Sequence, residues 1–354
     1  MGTLKFRSLK KMVDTMKFEA IGFKKENHSV GLIAQQGLMS YFDRRPLYFR
    51  DCQSVGKGIY FANYFAWMGK IRESAMFPIL GDISEDFNTG KIGMVTNSTH
   101  LKILGDATVG DIVETRFGLL NKVNDSTLEI FFVWKKLLPN RSYEELAYAE
   151  MSISWVEILS HGMVKASPFP EYYNDFIETI SDEVTLPFVY EIEEHAFAHL
   201  DKGIQLYCAP NSPRRGKLVA EERIATTLED GNSVGNLYFS NYGRWQGLVR
   251  DGYFHGLERR FFENIGVEGE LVVLESEINH LREAMPFSQI LVTMNVVEVW
   301  ENAASLSFAY FNIDNGEKMK LASSSQLVVW AKKNEVNIFE ALPFPQVYKD
   351  ALLS

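Results

Sequence analysis

Two stretches of this chain carry a carboxamide, a tyrosine and an arginine at nearly matched spacing. QSVGKGIYFANYFAWMGKIR (53–72) supplies Gln53, Tyr64 and Arg72, and NSVGNLYFSNYGRWQGLVR (232–250) supplies Asn232, Tyr242 and Arg250. A carboxamide donates and accepts hydrogen bonds, but it takes no proton near neutral pH and does not attack a carbonyl. Arginine stays protonated, so it can hold negative charge and cannot act as a base. Chemistry at such a cluster rests on orientation and charge stabilisation. Each residue also has a plain structural reading. Tyr64, Trp67, Met68 and Ile71 recur at helical spacing, as do Tyr242, Trp245 and Val249, the pattern of a buried helix face. The arginines fit salt bridges on those helices, and an Asn before a glycine turn is commonly a turn or cap residue. The joint spacing of the three residue types, not any one of them, favours function.

The elements that must position these residues repeat as well. YFANY at 60–64 returns as YFSNY at 238–242, an offset of 178 positions. DIVETRFGLLNKV…LEIFFVW (111–134) lies over QILVTMNVVEVW…LSFAYF (289–311) at that offset. THLKIL (99–104) aligns with NHLREA (279–284), which makes His100 and His280 counterparts, and AEMSISWVEI (149–158) aligns with SSQLVVWAKK (324–333). Repeats in this order imply two units. Each unit opens on a strand, about 44–51 and 217–228, then runs through a glycine turn into a helix. Long strands rich in Val, Ile, Phe and Trp follow. No helix separates those later strands, so they pair antiparallel and the class is α+β. The expected boundaries are a first domain at 1–170, a proline-rich linker at 171–215 and a second domain at 216–354.

Composition narrows the function. With 354 residues, 46% of them hydrophobic, the chain can bury a sizeable core. A net charge of −10 argues against nucleic-acid binding, which needs a basic footprint. Cys52 and Cys208 read as free thiols of a reducing compartment. The N-terminal stretch has no apolar core of a signal peptide, Phe6 spoils a myristoylation match, and no apolar run reaches the ~18 residues of a membrane span. The expectation is a cytoplasmic, soluble protein with no membrane partner, so the sequons at Asn97, Asn124 and Asn140 carry little weight. There is no G-x-S-x-G, P-loop or G-x-G-x-x-G after a strand. His195 and His199 stand at i, i+4 but lack the H-E-x-x-H order, so no metal and no other cofactor is expected. His100 and His280 read as satisfied structural histidines. Glu229 and Asp230 precede Asn232 and offer a candidate base, although such a pair more often ends a strand. The cluster SPRRGK (212–217) and Arg259–Arg260 suit either a solvated face or an acidic partner.

The glycine turn entering an N-Y-x-x-W helix, with an antiparallel sheet behind it, resembles the hot-dog fold. NSVGNLYFSNYGRWQGLVRD closely resembles the matching stretch of the thioesterases of enediyne polyketide biosynthesis, which release an acyl chain from an acyl carrier protein. RDCQSVGKGIYFANYF resembles a segment of the double hot-dog acyltransferase/decarboxylase of leinamycin-type pathways. The resemblance implies a tandem hot-dog chain, each half a long helix wrapped by a sheet, acting on an acyl carrier protein or acyl-CoA thioester. A homodimer of such double units is an expected assembly. Many hot-dog thioesterases carry Asp at the first position of D-x-x-G; here Asn232 and Gln53 stand there, a departure the enediyne enzymes share. Asn232, Tyr242 and Arg250 are then the catalytic candidates, and Gln53, Tyr64 and Arg72 the substrate-binding ones. The amide around Tyr242 would stabilise an oxyanion at the helix start. Electrophilic β-keto thioesters would suit a site without a base. The extra Lys57 is expected to shift the first helix relative to Gln53, which makes the second copy the expected working site. Two rival activities stay open. One is acyl transfer with decarboxylation, in which the hydroxyl of Tyr60, Tyr64, Tyr238 or Tyr242 takes the acyl group. The other is a non-catalytic acyl-binding or dehydratase-like partner of a synthase, although neither motif copy contains a histidine.

Overall fold

The computed structural model describes residues 29–35, 38–53, 58–160, 162–180, 196–198, 200, 217–263, 267–314, 316–335 and 338–354. His195, His199, Cys208 and residues 212–216 lie outside them, so the expectations placed there have no structural counterpart, and Lys57 itself also lies outside them.

The strands form a thirteen-stranded sheet. In chain order they are β1 (Ser29–Gln35), β2 (Leu38–Pro46), β3 (Ile92–Ile103), β4 (Ile112–Asn124), β5 (Thr127–Leu137), β6 (Tyr143–Ser160), β7 (Met163–Ala166), β8 (Lys217–Ala225), β9 (Glu270–His280), β10 (Gln289–Val299), β11 (Ala303–Asn312), β12 (Met319–Lys333) and β13 (Phe339–Ala341). The helices are α1 (Ala62–Ala75), α2 (Leu80–Asn88), α3 (Glu171–Ile180), α4 (Ser240–Leu257), α5 (Arg260–Glu263) and α6 (Gln346–Leu353). The sheet order is β1-β2-β4-β5-β6-β3-β9-β12-β11-β10-β8. Read inward from β2 and from β8, the two halves have the same strand order and meet at β3 and β9. That seam is antiparallel, running from Ser98 opposite Asn279 to Lys102 opposite Glu275.

Short connections between consecutive Val- and Phe-rich strands leave room only for antiparallel pairing. The strands alternate inward and outward side chains, so one face of the sheet closes over the helices. On β5 both faces are covered. Phe132 and Trp134 join the main core, while Phe131 and Val133 form a smaller cluster with Leu104 and Tyr148. Burying one such aromatic or aliphatic side chain contributes roughly 1.5–3 kcal/mol. Helices α1 and α4 lie against each other inside this wrap. Gly69 and Gly247 permit the approach, because a Cβ at either would overlap the hydroxyl of Tyr238 or Tyr60.

Two expected boundaries move. The opening strands end at Pro46 and Ala225, and short 3-10 turns at Phe49–Asp51 and Leu228–Asp230 replace their last residues. The closing aspartates cause this: the Asp51 carboxylate accepts the Tyr48 N–H, and that of Asp230 accepts the Thr227 N–H, both at 2.8 Å. The start of the expected linker is ordered as α3, which sends Tyr173, Phe176 and Ile177 into the core. Among the described residues, no helix is long and apolar enough to cross a membrane.

Candidate active site

The two turns and their helices exchange side chains. Tyr60, just before α1, donates its hydroxyl to Asp251 on α4 at 2.8 Å, and Tyr238, just before α4, donates to Glu73 on α1 at 2.7 Å. The Arg250 guanidinium lies over the Phe61 ring at 4.9 Å, and that of Arg72 lies over Phe239 at 5.3 Å. Gln53, Tyr64 and Arg250 therefore share one cluster, and Asn232, Tyr242 and Arg72 share the other. The expected trio of Asn232, Tyr242 and Arg250 is split between them. The reason is geometric: an arginine eight positions beyond the tyrosine stands about 12 Å along the helix, beside the start of its neighbour.

The first cluster borders a larger cavity. A cavity of about 430 Å³ is bordered by Cys52, Gln53, Tyr60, Arg250, Asp251 and Glu270, with Phe261, Phe262 and Trp330 on its apolar side. A narrower pocket of about 40 Å³ shares Gln53 and Arg250 with it and reaches Tyr64 and Asp106. Arg250 is only 3% exposed, and its charge is matched. Its Nε donates to Asp251 Oδ1 at 2.8 Å and its Nη1 to Gln326 Oε1 at 2.8 Å. Gln53 Nε2 donates to Glu270 Oε2 at 2.8 Å, across from the first half to the first residue of β9. Burial pushes the Glu270 carboxyl up to about 7; Asp106 adds to the rise, while Lys333 and the Gln53 hydrogen bond oppose it. Cys52 is pushed up to about 11, first by burial, so it is a thiol here rather than a thiolate nucleophile. The Tyr64 hydroxyl is buried with no partner among the described residues.

The second cluster is tighter. Asn232, Asn236, Tyr242, His280, Glu283 and Arg72 surround about 20 Å³, enough for a water molecule. Asn232 Oδ1 accepts the N–H groups of Val234 and Gly235 at 3.0 and 3.1 Å, so its carbonyl serves its own turn. Arg72 is buried with looser partners, Thr96 Oγ1 at 3.4 Å and Met151 Sδ at 3.5 Å. The Tyr242 ring packs edge-on against His280 at 4.7 Å, and burial raises the Tyr242 hydroxyl far above its ordinary value. Burial pulls His280 down to about 4, which keeps it neutral.

Several sequence expectations change in detail. The Tyr242 N–H is already donated to the Phe239 carbonyl at 3.3 Å, as that of Tyr64 is to Phe61 at 3.2 Å. The unsatisfied N–H groups lie earlier, on Phe61 and Ala62 and on Phe239 and Ser240, which have no partner among the described residues. The extra residue near Lys57 does not displace α1. Gln53 N–H donates to Gly58 as Asn232 N–H does to Asn236, and Tyr60 N–H donates to Asp51 as Tyr238 N–H does to Asp230. Asp230 is tied by Thr227 and Arg244, which leaves it no role as a base. His100 and His280 are not counterparts. Register pairs His100 with Glu150 on β6 and His280 with Ala322 on β12, and His100 instead binds Glu275 across the seam at 2.6 Å. The sequence alignment is slipped there by an odd number of residues, which turns a side chain to the opposite face. Glu270 escaped the sequence reading altogether, because it lies outside both motif copies at the start of an ordinary strand.

Comparison with known proteins gives a family match over part of the chain and a fold match over most of it. Residues 226–352 match the thioesterase-like superfamily. Among solved structures, a putative oleoyl thioesterase from Lactobacillus plantarum superposes with a TM-score of 0.58 at 9% identity, covering 84% of this chain and 99% of its own. The 12:0-ACP thioesterase from Umbellularia californica gives 0.58 at 11% identity, covering 82% and 97%. The dynemicin thioesterase aligns with 38% of this chain and 95% of its own, at 23% identity and a TM-score of 0.36. Comparison with curated proteins gives no match. The chain has a hot-dog thioesterase-like fold, a large antiparallel sheet with few helices.

Proposed function

We propose that this protein is a tandem double hot-dog thioesterase that hydrolyses an acyl or polyketide chain from an acyl carrier protein or from CoA. The observation that carries this reading is the open cavity joining Gln53 of one half to Arg250 and Glu270 of the other. Asn232, Tyr242 and Arg72 line its smaller counterpart. Shared strand order about the β3–β9 seam supports an internal duplication, with each site completed by the opposite half.

In this reading the thioester carbonyl points at the N–H groups of Phe61 and Ala62 at the start of α1, which have no partner among the described residues. The helix dipole and those donors stabilise the oxyanion as it forms, a contribution on the order of 10²-fold per donor. Arg250 is held rigid by Asp251 and Gln326, so its positive charge stays beside the cavity without reorganisation. It anchors a β-keto or carboxyl oxygen. Phe261, Phe262 and Trp330 exclude water from the acyl chain. Arg50, exposed at the cavity, suits the negative charge of a carrier protein or of CoA. The test is to incubate the protein with acylated carrier protein, and separately with acyl-CoA, and to weigh the products by mass spectrometry. Free acid with free thiol supports hydrolysis; an unchanged thioester defeats it.

One observation favours a second reading. Tyr60 faces the same cavity with its hydroxyl on the Asp251 carboxylate, which orients it to accept an acyl group. Acyl transfer would leave a covalent adduct on Tyr60 in the intact protein mass, and decarboxylation would release CO₂ with the thioester retained.

A further inference from the structure

Both motif copies put an amide where a proton acceptor is needed, yet the open cavity is bordered by two carboxylates, Asp251 and Glu270. Asp251 is fully engaged, since Oδ1 takes the Arg250 guanidinium and Oδ2 takes the Tyr60 hydroxyl. Asp106, in the adjoining pocket, is engaged as well. Its Oδ1 accepts the N–H groups of Ile59 and Ala107, and its Oδ2 takes Lys333 Nζ at 2.7 Å. Glu270 differs. Gln53 fixes Oε2, while Oε1 has no donor among the described residues. The side chain is 5% exposed yet borders the cavity, so it is oriented, largely dry and within reach of a substrate water.

We propose that Glu270 is the general base of thioester cleavage at this site, oriented by Gln53 from the opposite half. The inference rests on the hydrolytic reading above. Glu270 takes a proton from a water molecule as the water oxygen bonds to the thioester carbonyl carbon, and the carbonyl π pair moves onto oxygen. Collapse of that oxyanion breaks the C–S bond, and the departing sulfur takes the proton from Glu270. The products are a carboxylic acid and a thiol, and the carboxylate is restored. Gln53 then has a role its own chemistry permits: it positions the base instead of being one.

The counterpart position supports the assignment. Register places Glu270 opposite Ala331 on β12, and the residue equally placed in the first half is Gly93, opposite Val156 on β6. Gly93 faces Val234 and Ile158, so that strand position supplies no carboxylate, and the carboxylate of the second cluster is Glu283, which accepts from the Asn236 amide. A strand-start carboxylate held by the amide of the opposite half is thus found at the first cluster only, while Glu283 at the second is held by Asn236 of its own half.

The groups facing Glu270 are Lys333 of β12, Asp106 after β3, Arg250 and Asp251 of α4, and Arg50, Cys52 and Tyr60 before α1. Burial and Asp106 set against Lys333 and Gln53 leave the carboxyl near 7, where a base is half ionised at neutral pH.

The test compares the full-length wild type with Glu270→Gln and Glu270→Asp, using an acyl N-acetylcysteamine thioester and following thiol release across pH. For the wild type, kcat/KM should rise through an inflection near 7. Glu270→Gln should lose about 10²–10⁴-fold in kcat, with KM little changed and the inflection gone. Glu270→Asp retains a carboxylate set further back, so it should keep the inflection at an intermediate rate. That variant also guards against misfolding of the first. Wild-type rate and pH profile in Glu270→Gln would overturn the assignment while leaving the hydrolase reading intact. A wild type that releases no thiol at any pH overturns both.

Discussion

At the first cluster Gln53 reaches outward to a glutamate from the other half, and a 430 Å³ cavity stands open beside it. At the second, Asn232 folds back onto its own turn, and little more than a water's volume remains. The backbone frames are the same: equivalent turn bonds, equivalent tyrosine-to-helix contacts, equivalent arginine-over-phenylalanine stacks. One methylene separates the two amides. The longer Gln spans the gap to the opposite strand, whereas the shorter Asn is the right length to cap its own turn. Similar motifs thus sit in different surroundings through side-chain length and through the carboxylate nearby, Glu270 held by Gln53 or Glu283 held by Asn236.

The widest separation between the clusters should come from the arginines. Arg250→Ala takes the donor from buried Gln326 and from the one-third-exposed Asp251 carboxylate, and losing such charge-assisted hydrogen bonds costs about 2–3 kcal/mol. Arg72→Ala removes longer contacts and an ion pair with half-exposed Glu73 at 3.8 Å, so about 1 kcal/mol is expected. Urea unfolding of both variants measures the difference, and equal losses would mean the clusters are energetically alike.

Glu270 gives a pH signature of stability. Its carboxyl sits near 7 in the folded chain against an ordinary 4.5, so between those values the folded state binds more protons than the unfolded one. Its contribution therefore makes stability fall as pH rises from about 4.5 to about 7, by on the order of 3 kcal/mol at most. Glu270→Gln should flatten that fall in denaturation curves taken across the window. An unchanged slope would show that the carboxyl is not perturbed.

The amides should separate rate from stability. Gln53→Ala unlocks the base and should lower turnover about 10²-fold with little change in unfolding midpoint, an effect of about 2.7 kcal/mol on the barrier. Asn232→Ala should leave turnover near wild type and cost about 1 kcal/mol of stability, the usual loss for a turn or cap side chain. The reverse pattern would make the second cluster the working site.

The smallest effect belongs to the seam. His100 is raised by its hydrogen bond to Glu275, so this pair stabilises below the ordinary histidine value and fades as pH climbs through the raised one. Both side chains are partly exposed, at 39% and 45%, which screens the pair to roughly 0.2–1 kcal/mol. His100→Ala should lower the thermal midpoint slightly at pH 6 and not at pH 9.

Much of this protein is legible in its residues alone. Helical spacing of Tyr64, Trp67 and Ile71 and of Tyr242, Trp245 and Val249 sets two buried helices, and the consecutive Val- and Phe-rich strands with no helix between them set an antiparallel sheet. The repeated amide, tyrosine and arginine fall just before those two helices and along their lengths. These are local properties, carried by periodicity and by the chemistry of single side chains. What the chain alone did not reveal is which members of the repeats meet. Arg250 joins Gln53 because α4 lies against α1, and Glu270 joins Gln53 because β9 begins beneath the opposite turn, 217 positions away in sequence. An unremarkable glutamate at a strand start gains its raised pKa from burial and from neighbours on other elements, and no motif records that. Local pattern determined the parts, and packing of the two halves decided the site, since distances, desolvation and charge partners exist only once the chain has closed.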